Sequence, residues 1–421
     1  MSIPAWGVRL CGYLLLIASF DPSIAQKQRQ AKTSIPPETM QEMQALQKIL
    51  AASPNDPAAL FNLAMDYATI GDNIKTLDLL EKMAQAHTGM DPKSPAGRSF
   101  KNIANDPRFV SLIAQIEKEN PPVVRSTTAF LIHERDLFPE GIAYDPVGKT
   151  LYLSSLEKHK IVAVRFDGSA KDFKSSGQDG LGETFGMKVD AKRRILWVVS
   201  DHFVPRAQNN TDRQGLFQYD LTTGTVRFKH LLPLGAKGFL NDVALNSDGD
   251  AFTTNTDTGE VFRASPEHDG LEQFLPPNSV TQANGIAVSP DDKLLFVAGW
   301  IGIARVDIAT RQVQLLTKPH NVADANMDGV YFYKDSLVGI QNPDVHPGRV
   351  MRYYLNLARN TIQRVEVLEA YNPIFDVPTT GTLVGDSLFF AANTQLDKRK
   401  QDGSTPSHGE LQDIHIVRLK L

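Results

Sequence analysis

Six positions separated by 45, 56, 43, 44 and 52 residues recur as the head of one repeated phrase: Glu140, Phe185, Asn241, Asn284, Asp328 and Thr380. Glu140, Asn241, Asn284 and Asp328 offer carboxylate or carboxamide oxygens, and none of the six offers imidazole or thiol. Hard oxygens of this kind select Ca²⁺ over zinc or copper. Glu140 and Asp328 would neutralise the dication, and the two Asn carbonyls would complete the protein's share. Ca²⁺ takes about 6–8 oxygens, so two or more places would be left for water or substrate. The competing use of the same residues is to satisfy backbone groups at strand ends, as Asn, Asp and Glu do at turns.

Three further residues are candidates for contact with a substrate. His202 closes the run Val198-Val199-Ser200-Asp201-His202, and a histidine there could act as a general base or simply be a strand-end residue. His346 and Arg349 lie in Asn342-Pro343-Asp344-Val345-His346-Pro347-Gly348-Arg349. They could touch substrate if that loop faces the ring; otherwise it is a turn built on two prolines.

The phrase that positions the ring is a polar residue, a small one, an alternating apolar run, a turn and a second apolar strand. Its copies begin Glu140-Gly141-Ile142-Ala143, Phe185-Gly186-Met187-Lys188, Asn241-Asp242-Val243-Ala244, Asn284-Gly285-Ile286-Ala287, Asp328-Gly329-Val330-Tyr331 and Thr380-Gly381-Thr382-Leu383. The spacing is that of a four-stranded blade, and period-2 alternation within the runs indicates antiparallel strands. Six copies give a mainly β fold, a six-bladed β-propeller over 124–421, closed by pairing the strand at Phe130-Leu131-Ile132 with the last blade. Innermost strands of a propeller line its channel, so the head residues should form a ring. Trp197 and Trp300 are expected to pack between blades.

The N-terminus is of another kind. Arg9, the apolar run Leu14-Leu15-Leu16-Ile17-Ala18 and the small residues Ser23-Ile24-Ala25 have the layout of a secretory signal peptide over 1–25. The run is too short for a convincing membrane span. A periplasmic or secreted protein is expected, with no membrane span after cleavage. Cys11, the one cysteine, falls inside that signal, so disulfides, zinc thiolates and cysteine nucleophiles are excluded from the mature chain. A formal charge of −4 and the absence of any basic run leave no electrostatic reason to expect nucleic acid as a partner. There is no phosphate loop, GxSxG elbow or HExxH helix.

Residues 26–37 read as a linker and 38–120 as a helical domain. Leu60, Leu63, Ala64 and Tyr67 share one helical face, Gly71-Asp72 interrupts, and Leu77, Leu79, Leu80 and Met83 begin a second amphipathic helix. Leu63, Ala64, Tyr67, Gly71 and Leu80 resemble one tetratricopeptide repeat, with Thr76 where that family prefers Ala and a degenerate second unit ending near Phe109. One repeat cannot bury its own apolar face. It should pack on the propeller or offer a surface to a protein partner.

The phrases Phe138-Pro139-Glu140-Gly141, Leu240-Asn241-Asp242-Val243, Ala283-Asn284-Gly285-Ile286 and Met327-Asp328-Gly329-Val330 resemble the gluconolactonase/regucalcin-like propellers and the related paraoxonases. The resemblance implies Glu140, Asn284 and Asp328 as ligands of a catalytic Ca²⁺, with Asn241 a fourth ligand or a substrate contact. It implies hydrolysis of a small-molecule lactone or ester, Asp328 taking the proton of the attacking water. His202 falls where the second of two paraoxonase histidines would lie, and Phe185 stands in place of the first. A shared fold does not confer an activity. The alternative is therefore a non-catalytic exported propeller that binds a ligand or a protein partner.

Overall fold

A computed structural model describes residues 35–93, 95–201, 214–233, 236–342, 345, 348–400 and 406–421. The signal-peptide segment, most of the expected linker, His202 and His346 lie outside the described residues. Among the described residues no helix is long and apolar enough to cross a membrane.

Alternating apolar runs broken by Gly, Asn and Asp fold into six four-stranded antiparallel sheets. Each sheet is one blade. The inner strands of blades 1 to 6 are Ile142–Asp145, Glu183–Asp190, Leu240–Leu245, Ile286–Val288, Met327–Tyr333 and Gly381–Val384. Blades 1 to 5 run from inner to outer strand in chain order. Blade 6 takes its outer strand from the start of the propeller: Thr127–Ile132 pairs antiparallel with Ile414–Lys420, in the register Phe130↔Ile416 and Ile132↔Ile414. The chain is a six-bladed β-propeller closed at the strand its sequence indicated.

Apolar residues on facing blade surfaces supply the core. Trp197, fully buried, packs with Val199, Leu216, Val243 and Phe262 between blades 2 and 3. Equivalent clusters fill the other seams, for example Phe252, Phe274 and Ile286 between blades 3 and 4. The glycine that follows five of the six ring positions has a steric cause at two of them. A Cβ on Gly141 would fall 2.0 Å from the carbonyl oxygen of Phe185 in the next blade, and one on Gly285 would fall 2.7 Å from that of Asp328. At Gly141 and Gly285 a side chain would push the adjoining inner strands apart.

Among the described residues four α-helices precede the propeller: α1 (Pro37–Ala52), α2 (Pro57–Thr69), α3 (Asn73–Ala84) and α4 (Pro107–Glu119). Asp56, Asp72 and Asp106 cap the last three, their carboxylates accepting from the backbone N–H of Ala59, Lys75 and Arg108. α2 and α3 form the hairpin read around Gly71-Asp72. No second pair repeats it: a 3₁₀ segment, Pro95–Ile103, stands before α4.

The helices pack on the propeller. Ala323 joins the core of α2 to α4. Trp300 and Ile301 pack against Met43, Leu46, Ala59 and Leu63, so Trp300, expected between blades, instead seats the helices. Its neighbouring strand Leu294–Gly299 runs antiparallel to the inner strand of blade 4 and ends beside Asn284, whose N–H donates to the Ala298 carbonyl. The helices therefore sit on the end of the propeller that carries the ring.

Candidate metal centre at the channel mouth

Ring residues stand at the heads of the inner strands, outside the regular ladder. In blades 1 and 4 the strand proper begins two residues later, at Ile142 and Ile286. In blades 2, 3 and 5 the register shifts between Thr184 and Met187, Leu240 and Val243, and Met327 and Gly329. A bulge re-aims the side chain it carries. Here it falls on Phe185, Asn241 and Asp328. Relative exposures of 6% for Glu140, 6% for Asn241, 5% for Asn284 and 9% for Asp328 show all four to be buried.

Their polar atoms are oriented in a consistent way. The Asn284 amide nitrogen donates to Asp328 Oδ1 at 2.6 Å, and that of Asn241 donates to Thr256 Oγ1 at 3.1 Å. Thr256 passes its own proton to the Ala283 carbonyl at 2.7 Å. With the nitrogens engaged, Asn241 Oδ1 and Asn284 Oδ1 are left buried without a hydrogen-bond partner, and so is Glu140 Oε2. A buried polar atom left unpaired costs about 1–3 kcal/mol. Three of them on one ring form an oxygen set whose chemistry suits a hard cation.

Asp328 is held by two amides, since Asn342 donates to its Oδ2 and also to the Pro378 carbonyl at 2.9 Å. The Ser154 hydroxyl fixes Glu140 by accepting from the N–H groups of Glu140 and Gly141 at 3.2 and 2.6 Å. Burial pushes the Glu140 carboxyl well above its ordinary range, the charges of Asp328 and Asp242 add to that, and Lys188 opposes it. Burial also raises Asp328, to about 6, against the hydrogen bonds from Asn342 and Asn284. Both carboxyls resist ionising in the absence of a compensating positive charge.

The other two ring positions hold no ligand. Phe185 packs edge-on to Phe239, with centroids 4.7 Å apart, and gives the mouth an apolar side. The hydroxyls of Thr379 and Thr380 donate to the Glu140 carbonyl and join blade 6 to blade 1. Among the described residues no group of three His, Cys, Asp or Glu side chains could hold a metal, so any site here needs the two amides.

Arg349 does not reach the channel. It is 4% exposed, its Nε donates to Gln341 Oε1 at 2.7 Å, and its Nη1 donates to the Thr88 carbonyl of the helical segment. Its substrate-contact role is corrected to that of a tie between helices and blade 5. Three residues of the site escaped the sequence reading: Asn342, Thr256 and Asp242. Asn342 and Thr256 each lie one residue past the second strand of their blade, Ser336–Gln341 and Ala251–Asn255. Asp242 stands where the other copies carry Gly, and accepts from the N–H of Val243 at 2.8 Å and of Ile286 at 3.3 Å.

No family model matches the sequence, and no curated protein does. Solved structures of similar fold include a gluconolactonase from Xanthomonas campestris, 17% identical over 71% of this chain and 95% of that one, with a TM-score of 0.47. A calcium-binding protein, regucalcin, from Agrobacterium tumefaciens strain C58 is 16% identical over 71% and 95%, at 0.48. A PQQ-bound aldose sugar dehydrogenase from Streptomyces coelicolor is 14% identical over 71% and 99%, at 0.47. At these identities the likeness is one of fold.

Proposed function

We propose that this chain is an exported, Ca²⁺-dependent hydrolase of a small-molecule lactone or ester. The observation that carries the reading is the set of three unpartnered buried oxygens, Glu140 Oε2, Asn241 Oδ1 and Asn284 Oδ1, on a ring completed by Asp328. Glu140, Asn241, Asn284 and Asp328 would hold the ion. Bound there, Ca²⁺ would supply Lewis acidity to a substrate carbonyl oxygen.

The chain's own residues do the rest. Asp328, clamped by Asn284 and Asn342, takes the proton of the attacking water and returns it to the leaving alkoxide. Phe185 and Phe239 give an apolar wall on the blade 2 side for the body of the substrate. The helices dock against blades 4 and 5 on the same end as the ring. Hard-oxygen coordination with places left open favours catalysis over purely structural binding.

The test is a panel of lactones and esters on purified protein, with calcium and with chelator, alongside Asp328→Asn and Glu140→Ala. Turnover that needs calcium and is lost in both variants supports the reading. Protein that holds calcium and turns over no member of the panel moves the assignment to the non-catalytic binder.

A further inference from the structure

Lys188 leaves the inner strand of blade 2, and its Nζ lies 4.9 Å from the ring centroid of Tyr331. Tyr331 belongs to the inner strand of blade 5. Blades 2 and 5 stand opposite each other in a ring of six, so the lysine crosses the channel axis. Tyr331 is fixed in turn, its hydroxyl oxygen accepting from the N–H of Gly381 in blade 6 at 2.5 Å.

Three buried carboxylates surround this axis: Glu140 at 6%, Asp328 at 9% and Asp242 at 1% exposed. The Asp242 carboxylate lies against the inner strand of blade 2, since a Cβ on Gly186, two residues before Lys188, would fall 2.5 Å from Asp242 Oδ1. The Lys188 charge opposes the upward shift that burial imposes on both Asp242 and Glu140. A single divalent ion at the ring balances two negative charges and leaves the third unmatched in a low-dielectric interior, where an unpaired charge is costly. Asp242 already has both oxygens engaged by backbone N–H groups, which suits it as the ammonium's counter-charge and not as a ligand.

We propose that the Lys188 ammonium is a built-in second cation of the channel, coupled by its charge to Asp242, and that it sets how tightly the ring holds its ion. The proposal rests on the reading of the ring as a cation site, and its test separates the two. The positive charge of Lys188 stabilises the cation-free chain and repels an incoming ion. It is a positioning residue with no contact to substrate.

The experiment uses the whole chain as wild type, Lys188→Met, Asp242→Asn, the double variant and Lys188→Arg. Each is melted in chelator and titrated with calcium by calorimetry at pH 8. Lys188→Met is expected to melt about 4 °C lower in chelator and yet to bind calcium at least tenfold more tightly, a gain that mere damage would not produce. The double variant should recover most of the melting loss, and Lys188→Arg should keep wild-type affinity. Strictly additive melting effects of Lys188→Met and Asp242→Asn, or calcium binding no tighter in Lys188→Met, would overturn the proposal. Should wild type bind no calcium, the functional reading fails while the melting cycle still decides the Lys188–Asp242 coupling.

Discussion

The Asn284 side chain donates its amide proton to Asp328 Oδ1 across the seam between blades 4 and 5, at 2.6 Å, and leaves its own carbonyl oxygen buried and unpaired. One side chain thus orients a neighbouring ligand and offers a second oxygen to the same space. Asn284→Ala removes both. Calcium affinity measured by calorimetry should fall by more than the roughly 10–100-fold typical of losing an orienting partner alone. An affinity within threefold of wild type would place Asn284 outside the site.

Asn342 touches Asp328 from the other side, through its amide nitrogen. Asn342→Ala should lower calcium affinity by about 10–100-fold through misorientation of Asp328. Asn342→Gln should not restore it, because the longer side chain cannot keep both the Asp328 and Pro378 contacts. An unaffected affinity in Asn342→Ala would show that Asp328 holds its position without this clamp.

Protons and calcium compete for the same carboxyls. Glu140 and Asp328 have raised values in the cation-free fold, Asp328 near 6. Their contribution to folding is therefore intact at low pH and is lost as pH rises through that range. A cation held by the ionised groups acts in the opposite sense. The gap in melting temperature between calcium-saturated and chelated protein should be small at pH 5 and widen toward pH 8. An equal gap at both would mean that neither carboxyl takes part.

The helical segment is pinned by a buried cation. Lys318 Nζ meets Asp324 at 2.5 Å and Asp56, the cap of α2, at 3.1 Å. Burial works against its charge, but the two carboxylates outweigh that and keep it above the ordinary lysine value. Lys318→Met leaves two buried acids facing each other and should cost about 3–5 kcal/mol in urea unfolding. A loss below about 1 kcal/mol would make this an ordinary solvent-screened pair.

Blade number, strand pairing and closure were legible because each blade is built from local antiparallel pairs whose alternation repeats at nearly constant spacing. The placing of Glu140, Asn241, Asn284 and Asp328 at the heads of the inner strands was legible for the same reason: a repeat puts equivalent residues at equivalent positions. What stayed hidden is non-local. Trp300 sits in a turn and Arg349 at the start of a strand, and the surroundings of both depend on where the helices dock, which no repeat encodes. The Lys188–Tyr331 contact joins opposite blades, which a pattern of successive copies cannot show. Asn342 and Thr256 did carry a signal, since each follows the second strand of its blade.

A crystal grown with calcium and measured for anomalous scattering tests the central claim most directly. The expected result is one peak bounded by side-chain oxygens of Glu140, Asn241, Asn284 and Asp328 at about 2.3–2.6 Å. A calcium-saturated crystal with no peak among those four oxygens would contradict it.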